Sequence, residues 1–194
     1  MAETEIGFAQ LGLASVLSQN QLAVPPNQRE YSWTDKEVRT LLQDFAKTIS
    51  AGDAGSYFLG TIVTIPRANG VLEVVDGQQR LATTAIMLSA IRDYLKTRDE
   101  MIAKSIDTEF LNVIDRASRA LVPRLRLNLD DNDYFRAKLT GADPPPVATK
   151  PSHKLILGHY QCEIVLDTLP YGQVGCGYQD RGRHDPEEFP WPQE

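Results

Sequence analysis

Apolar residues at Val38, Leu41, Leu42, Phe45 and Ile49 recur at helical spacing and predict an amphipathic helix that stops before Gly52. In front of it, Thr34-Asp35-Lys36-Glu37 has the form of a capping box, in which hydroxyl and carboxylate satisfy each other's backbone donors. The same spacing at Leu81, Ala85, Leu88, Ile91 and Leu95 predicts a long helix from Gln78 to about Lys96. Between these helices the period changes. Residues 57–65 are rich in aromatic and β-branched side chains, and 71–75 form a second short apolar run. Asn69-Gly70 lies between the two runs, and both residue types tolerate positive φ, so an antiparallel pair of strands is predicted there.

The rest of the chain is patterned less sharply. Ile6, Leu13, Val16 and Leu17 suggest a helix over 6–17, and Pro25-Pro26 holds 21–26 extended. A helical region is predicted over 99–118, a short strand over 125–129 and a short helix over 131–139 closed by Gly141. Pro144-Pro145-Pro146 marks a loop, after which Ser152 is placed to cap a last helix over 153–169. From residue 170 the periodicity lapses, with four Pro and four Gly in 25 residues, and a poorly ordered tail is predicted. No internal repeat is visible. The pattern is that of an α/β (α+β) fold with a small mixed sheet among helices. One domain is expected over 1–169, with an irregular tail over 170–194.

Charge and composition narrow the function classes. The chain has 194 residues and a net charge of −6. Residues 163–194 hold seven acidic and two basic side chains, so the remainder is close to neutral. Neither part has the basic surplus of a stand-alone nucleic-acid binder. A run from Arg116 to Arg126 carries four arginines and no acid, which a solvated face explains better than a nucleic-acid stripe. No apolar run nears the 18 residues that a membrane span needs, and the start of the chain is acidic rather than signal-like. A cytoplasmic protein without membrane attachment is expected. Cys162 and Cys176 alone make no disulfide framework. His153, His159 and Cys162 fit no standard zinc spacing.

Asp76-Gly77-Gln78-Gln79-Arg80 is the most informative segment. A chain leaving a strand through glycine into a helix presents free backbone N–H groups and the positive end of the helix dipole, which suits phosphate. Gly77 permits close backbone approach, Gln78 and Gln79 offer amides, and Arg80 can grip phosphate with a planar fork. Asp76 can hold a divalent cation or orient a water. A plain turn, with Asp76 capping the helix and Arg80 solvated, explains the same residues. A second cluster, Pro26-Asn27-Gln28-Arg29-Glu30-Tyr31-Ser32-Trp33, could grip phosphate and stack on a base. Equally, Tyr31 and Trp33 could anchor the following helix by burial.

Three segments carry a resemblance. The Pro26–Trp33 loop, Tyr57-Phe58-Leu59-Gly60-Thr61-Ile62-Val63 and Val75-Asp76-Gly77-Gln78-Gln79-Arg80-Leu81-Ala82-Thr83 closely resemble the GmrSD restriction-endonuclease N-terminal domain family, in order and at similar spacing. Asn132-Asp133-Tyr134-Phe135 is similar to a later segment of that family. The match spans roughly 5–165, with Ala82 where threonine is common. The resemblance implies a ParB/sulfiredoxin-like fold, in which a G-x-x-R turn at a helix N-terminus holds nucleotide phosphates. It implies a nucleoside triphosphate and Mg²⁺ as ligands. Asp76 and Gln79 would be catalytic, Asp76 through the metal. Gln28, Arg29, Tyr31, Gly77, Gln78 and Arg80 would contact the nucleotide. It implies DNA and a nuclease domain or subunit, often of the HNH type, as partners in the intact system. Three histidines at 153, 159 and 184 supply no such nuclease half here, and 170–194 match nothing in the family, as a truncation or frameshift would produce. Three readings stay open: a triphosphate-binding and hydrolysing domain, a non-catalytic module that senses DNA or a partner, and a remnant without its nuclease half. Oligomeric state is not legible.

Overall fold

The computed structural model describes residues 7–50, 58–67, 70–115, 118–142, 144 and 146–160. Helix α1 (Leu13–Gln19) leads into strand β1 (Gln21–Ala23), and helix α2 (Asp35–Ser50) follows. Strands β2 (Val63–Pro66) and β3 (Val71–Asp76) precede helix α3 (Gln78–Leu95). Helix α4 (Glu100–Ile106) continues as a π-helical turn over Asp107–Leu111 into a hairpin of β4 (Asn112–Ile114) and β5 (Leu121–Pro123). Strand β6 (Leu125–Arg126) and helices α5 (Asn132–Thr140) and α6 (Pro151–Tyr160) complete the described chain.

The main sheet is mixed, in the order β2-β3-β1-β6. β1 runs parallel to both β3 and β6, while β2 is antiparallel to β3. An α+β fold with a small mixed sheet is therefore what forms. This polarity brings the ends of β1, β3 and β6 and the beginning of β2 to one edge of the sheet. Open α/β sheets bind ligands at the carboxyl ends of their strands.

Helix α3 is the centre of the core. Leu81, Ala82, Ala85 and Ile86 are buried with Leu22, Val74 and Leu125 of the sheet, Phe135 and Leu139 of α5 and Ile156 of α6. Each large apolar side chain among them stabilises the fold by about 1.5–3 kcal/mol. Helix α2 packs separately, with Val38 and Leu42 against Trp33 and Met87. Toward the far end of α3 the buried Arg92 donates to Asp93, to Asp107 and to the carbonyl of Leu139. That knot ties α3 to the π-helical turn and to α5.

Several boundaries differ from the sequence reading. Residues 7–12 are not helical. Gly12 is extended at the N-cap and leaves Phe8 and Leu11 exposed, because glycine disfavours a helix interior. Residues 112–114, assigned to a helix by periodicity, form a strand. Asn112, Val113 and Ile114 instead find ladder partners in Pro123, Val122 and Leu121. The strand at 125 stops at Arg126 rather than running to Leu129. Helix α6 begins at Pro151, so Ser152 lies inside it and gives its hydroxyl to Asp131 rather than capping. In the Thr34 box, Glu37 does reach back to the backbone N–H of Thr34, at 2.8 Å, but the Thr34 hydroxyl also donates to that carboxylate, at 2.6 Å. The predicted strand 57–65 begins only at Val63; Tyr57 lies outside the described residues, as do Asn69, the end of the 153–169 helix and the 170–194 tail.

Residues 58–62 leave the strand pattern for a specific reason. Arg80 donates to the carbonyls of Leu59 and Thr61, at 3.3 and 2.6 Å, so these acceptors face a side chain rather than a neighbouring strand. Gly60 between them adopts φ +103°, and a Cβ there would lie 1.9 Å from an Arg80 Nη1 atom. Gly60→Ala is expected to destabilise the domain by about 1–3 kcal/mol, through backbone strain and the clash together. In an Arg80→Ala background the clash is gone and only the left-handed strain of ~1–2 kcal/mol should remain. Urea denaturation of the double-mutant cycle measures this, and equal increments in both backgrounds would contradict it.

Candidate functional site

The carboxyl edge of the sheet gathers four segments. Strand β3 ends at Asp76, Gly77 turns with φ +91°, and α3 starts at Gln78. On one side lies the loop that follows β1, and beyond it the turn that follows β6. On the other lies 58–62, which precedes β2. A Cβ on Gly77 would sit 3.0 Å from Ile62 Cγ1, so the left-handed turn and its packing on Ile62 both require glycine.

The two glutamines of the junction diverge, because consecutive helical residues point about 100° apart. Gln79 is buried and faces the loop, where its Oε1 accepts from the N–H of Ser32 at 2.9 Å and of Trp33 at 3.3 Å. Its Nε2 donates to the carbonyl of Glu30 at 3.1 Å. Gln78, also buried, donates through Nε2 to the carbonyl of Arg29 at 3.4 Å, and its Oε1 has no partner. Gln28 reaches back from the loop to the carbonyl of Val75 at 3.4 Å. Two motifs about fifty residues apart in sequence thus form one structure.

Tyr31 fixes the loop from inside. It is only 3% exposed, so its ring is part of the core rather than a surface on which a base could stack. Its N–H donates to the buried Asp131 carboxylate at 2.7 Å, and the other oxygen of that carboxylate accepts from the Ser152 hydroxyl at 2.6 Å. Its phenol oxygen meets Thr83 Oγ1 at 2.8 Å and His159 Nδ1 at 2.9 Å. His159 Nε2 lies 3.3 Å from Asp35. Burial raises the pKa of the Tyr31 phenol and lowers that of the His159 imidazole, the latter against the opposing pull of Asp35. His153 stacks on Tyr134, and among the described residues no group of three metal-ligating side chains occurs.

The groups left open are few. Arg29 is exposed on the loop, and no described residue bonds its guanidinium. Asp76 has a largely exposed carboxylate whose nearest cation is Arg80, at 3.4 Å. Arg29, Gln78, Gln79, Asn128 and Asp131 line a cleft with Val24, Ala82 and Leu127 as apolar wall, of about 190 Å³ including its open mouth. Arg80 is not among its lining residues; it lies along 59–61.

A family model described as GmrSD restriction endonuclease, N-terminal domain, matches residues 13–162 of the chain. The chain belongs to that family. No curated protein matches the chain significantly. Membership places the GmrSD N-terminal domain described here among the modules of restriction systems. Among its described residues, no helix is long and apolar enough to cross a membrane.

Sequence reasoning did not single out Asn128, Asp131, Thr83 or His159 as parts of this domain's site. The available signal was Asn128-Leu129-Asp130-Asp131-Asn132, a dense run of short polar side chains ahead of a helix. Asn128 donates to the carbonyl of Gln28 at 3.0 Å and accepts from Asp131 N–H, which makes it the second brace of the loop.

Replacing Gln79 with leucine should leave two loop N–H groups and one carbonyl without partners. A fully buried orphan costs about 1–3 kcal/mol; Glu30 and Ser32 are exposed and Trp33 half-buried, so water relieves part of that cost and a melting point a few degrees lower is expected by calorimetry. An unchanged melting point would mean that the loop is held without the amide.

The pH dependence of stability follows from His159. Its folded pKa lies below the ordinary 6.5, so the unfolded chain takes up the proton first as pH falls. Stability should be full above about pH 6.5, decline as pH drops toward the folded value and then level. In His159→Gln, which keeps a donor and an acceptor for Tyr31 and Asp35, that part of the slope should vanish in chemical denaturation between pH 7 and 5. The same slope in both proteins would rule out His159 as its source.

Proposed function

We propose that this domain binds a nucleoside triphosphate at the carboxyl edge of its sheet and hydrolyses it. In the intact restriction and phage-defence system the outcome would control a nuclease domain or subunit acting on DNA. The convergence of the loop after β1, the Asp76–Arg80 junction and the turn after β6 around the N-terminus of α3 carries this reading. An α-helix N-terminus offers unpaired N–H groups and a favourable dipole to phosphate. The G-x-x-R form of Gly77 to Arg80, the form that holds nucleotide phosphates in ParB and sulfiredoxin relatives, supports it further.

In this reading the residues divide by what they have free. The N–H groups at the start of α3 and the exposed guanidinium of Arg29 bind phosphate. Arg80 shapes 59–61 with two of its five N–H donors and gives another to Asp76, and the donors left over are available to phosphate. Gln79 and Tyr31 position the loop. Asp76 orients the attacking water or holds Mg²⁺. A single open carboxylate suits a cation that arrives with the triphosphate, since Mg²⁺ is commonly held by one or two carboxylates together with substrate phosphates. Such an ion supplies charge neutralisation on the phosphate oxygens.

Titration calorimetry and phosphate release with Mg²⁺ test the assignment on four proteins. Arg29→Ala should weaken triphosphate binding by roughly tenfold or more, the value of a lost charged hydrogen bond of about 1.5–3 kcal/mol. Arg80→Ala should weaken it as well and also loosen 59–61. Asp76→Asn should retain most of the binding and lose hydrolysis. Hydrolysis at the wild-type rate in Asp76→Asn would remove Asp76 from the chemistry. A wild type that binds without hydrolysing is a nucleotide sensor, and one that binds no triphosphate overturns the proposal.

A further inference from the structure

Gln78 is 8% exposed, and its Oε1 has no hydrogen-bond partner although its Nε2 is engaged by the Arg29 carbonyl. Three other described side chains, Asn112, Arg124 and Tyr134, also leave a buried polar atom unpaired, but none of them lines the cleft. Gln78 does, as does Arg29, whose guanidinium no described residue bonds. Leaving an amide oxygen buried and unpaired costs about 1–3 kcal/mol in cores, and the partner it lacks is a donor.

The rest of the cleft narrows what that donor can be. Asn128 is committed on both sides of its amide, to the Gln28 carbonyl and the Asp131 N–H. Asp131 is fully buried, with each oxygen already accepting. Gln79 is fully engaged by the loop. Among the described residues that line the cleft, Gln78 Oε1 is thus the buried side-chain acceptor without a partner, and Arg29 is an exposed cation whose guanidinium no described residue bonds. The space that a water-sized group can occupy in the cleft is only about 10 Å³, far short of the ~300–1,000 Å³ that encloses a ligand. It has no room for a base and admits one small donor, with an anionic group left outside at Arg29.

We infer that the Arg29–Gln78 cleft is a sugar subsite in which Gln78 Oε1 accepts from a ribose hydroxyl, so that the domain selects ribonucleotides over deoxyribonucleotides. The inference rests on the reading of the junction as a triphosphate site and names the class of nucleotide it takes. A hydroxyl fits the space, it is common to all four ribonucleotides, and it lies on the same molecule as the phosphate that Arg29 and the α3 N-terminus would hold. Selectivity for the base is not expected from this cleft.

Titration calorimetry of the full chain with the four ribonucleoside triphosphates and their 2′-deoxy and 3′-deoxy counterparts, with Mg²⁺, tests it. The wild type should bind the ribonucleotides about threefold to tenfold more tightly than one of the two deoxy series, as befits one neutral hydrogen bond. That series also identifies the hydroxyl. Gln78→Leu should bring the ratio to about one, Gln78→Glu should restore it because an acceptor remains, and Arg29→Ala should weaken every nucleotide while leaving the ratio intact. Melting curves confirm that each variant is folded. A wild-type ratio of one for both series means that solvent alone satisfies Gln78 and overturns the inference while the triphosphate site stands. A ratio that persists in Gln78→Leu also overturns it. Absence of binding by any triphosphate defeats the underlying reading instead.

Discussion

The bond from the Tyr31 N–H to the Asp131 carboxylate joins residues one hundred positions apart inside the protein, and much of the structure is arranged around it. A carboxylate with no exposed surface is tolerated only when its oxygens are well supplied with donors. Tyr31 supplies one from the loop after β1, and Ser152 another from the first turn of α6. Asp131 itself precedes α5, and its carbonyl receives the Phe135 N–H at 2.9 Å. Loop, α5 and α6 are therefore located by one side chain. The phenol of Tyr31 repeats the arrangement at its other end, where Thr83 belongs to α3 and His159 to the last turn of α6. Helix α6 is held near both of its ends through a residue of the candidate site.

That anchoring explains why so many polar side chains at the carboxyl edge face protein rather than open space. A loop near a site has backbone groups that no ladder satisfies, and each must find a partner. Gln79 serves Glu30, Ser32 and Trp33; Gln78 serves Arg29; Asn128 serves Gln28; Arg80 serves Leu59 and Thr61. The consequence is a rigid frame around a small number of free groups, and pre-organisation of this kind reduces the ordering entropy that binding must overcome.

The elements with strong periodicity were legible. Helices α2 and α3, the β2–β3 pair and the closure of α5 by Gly141 follow from apolar spacing and turn residues, which depend on local chemistry. The departures arose where a distant partner overrode local preference. Residues 58–62 have strand-forming composition, but Arg80 claims their carbonyls. Ser152 has the composition of a cap, but Asp131 claims its hydroxyl. Residues 112–114 fit a helical pattern, but the segment from Leu121 to Pro123 offers a ladder. The site was legible as a set of residues and not as a set of roles. Gln78 and Gln79 are chemically identical and adjacent in sequence, and only the direction in which each leaves α3 separates an amide whose oxygen and nitrogen both brace the loop from one whose oxygen is left without a partner. Tyr31 has the chemistry of a base-stacking residue, and only its burial shows that its ring serves the core.

Arg80 shows why the frame takes a guanidinium. A lysine could not span two carbonyls in the same fixed geometry, because its single ammonium has no planar fork. The guanidinium reaches Leu59 and Thr61 through different nitrogens and still approaches Asp76. Gly60 is the complement of this choice, since the left-handed turn it allows is what lets both carbonyls face the same group, and its missing Cβ is what leaves room for the guanidinium. Residues 59–61 and the D-G-Q-Q-R segment are therefore coupled by sterics as well as by hydrogen bonds. Such coupling accounts physically for a glycine standing in a stretch whose other residues favour strand: removing the arginine would lift the constraint on the glycine, and filling the glycine would displace the arginine from the edge of the site.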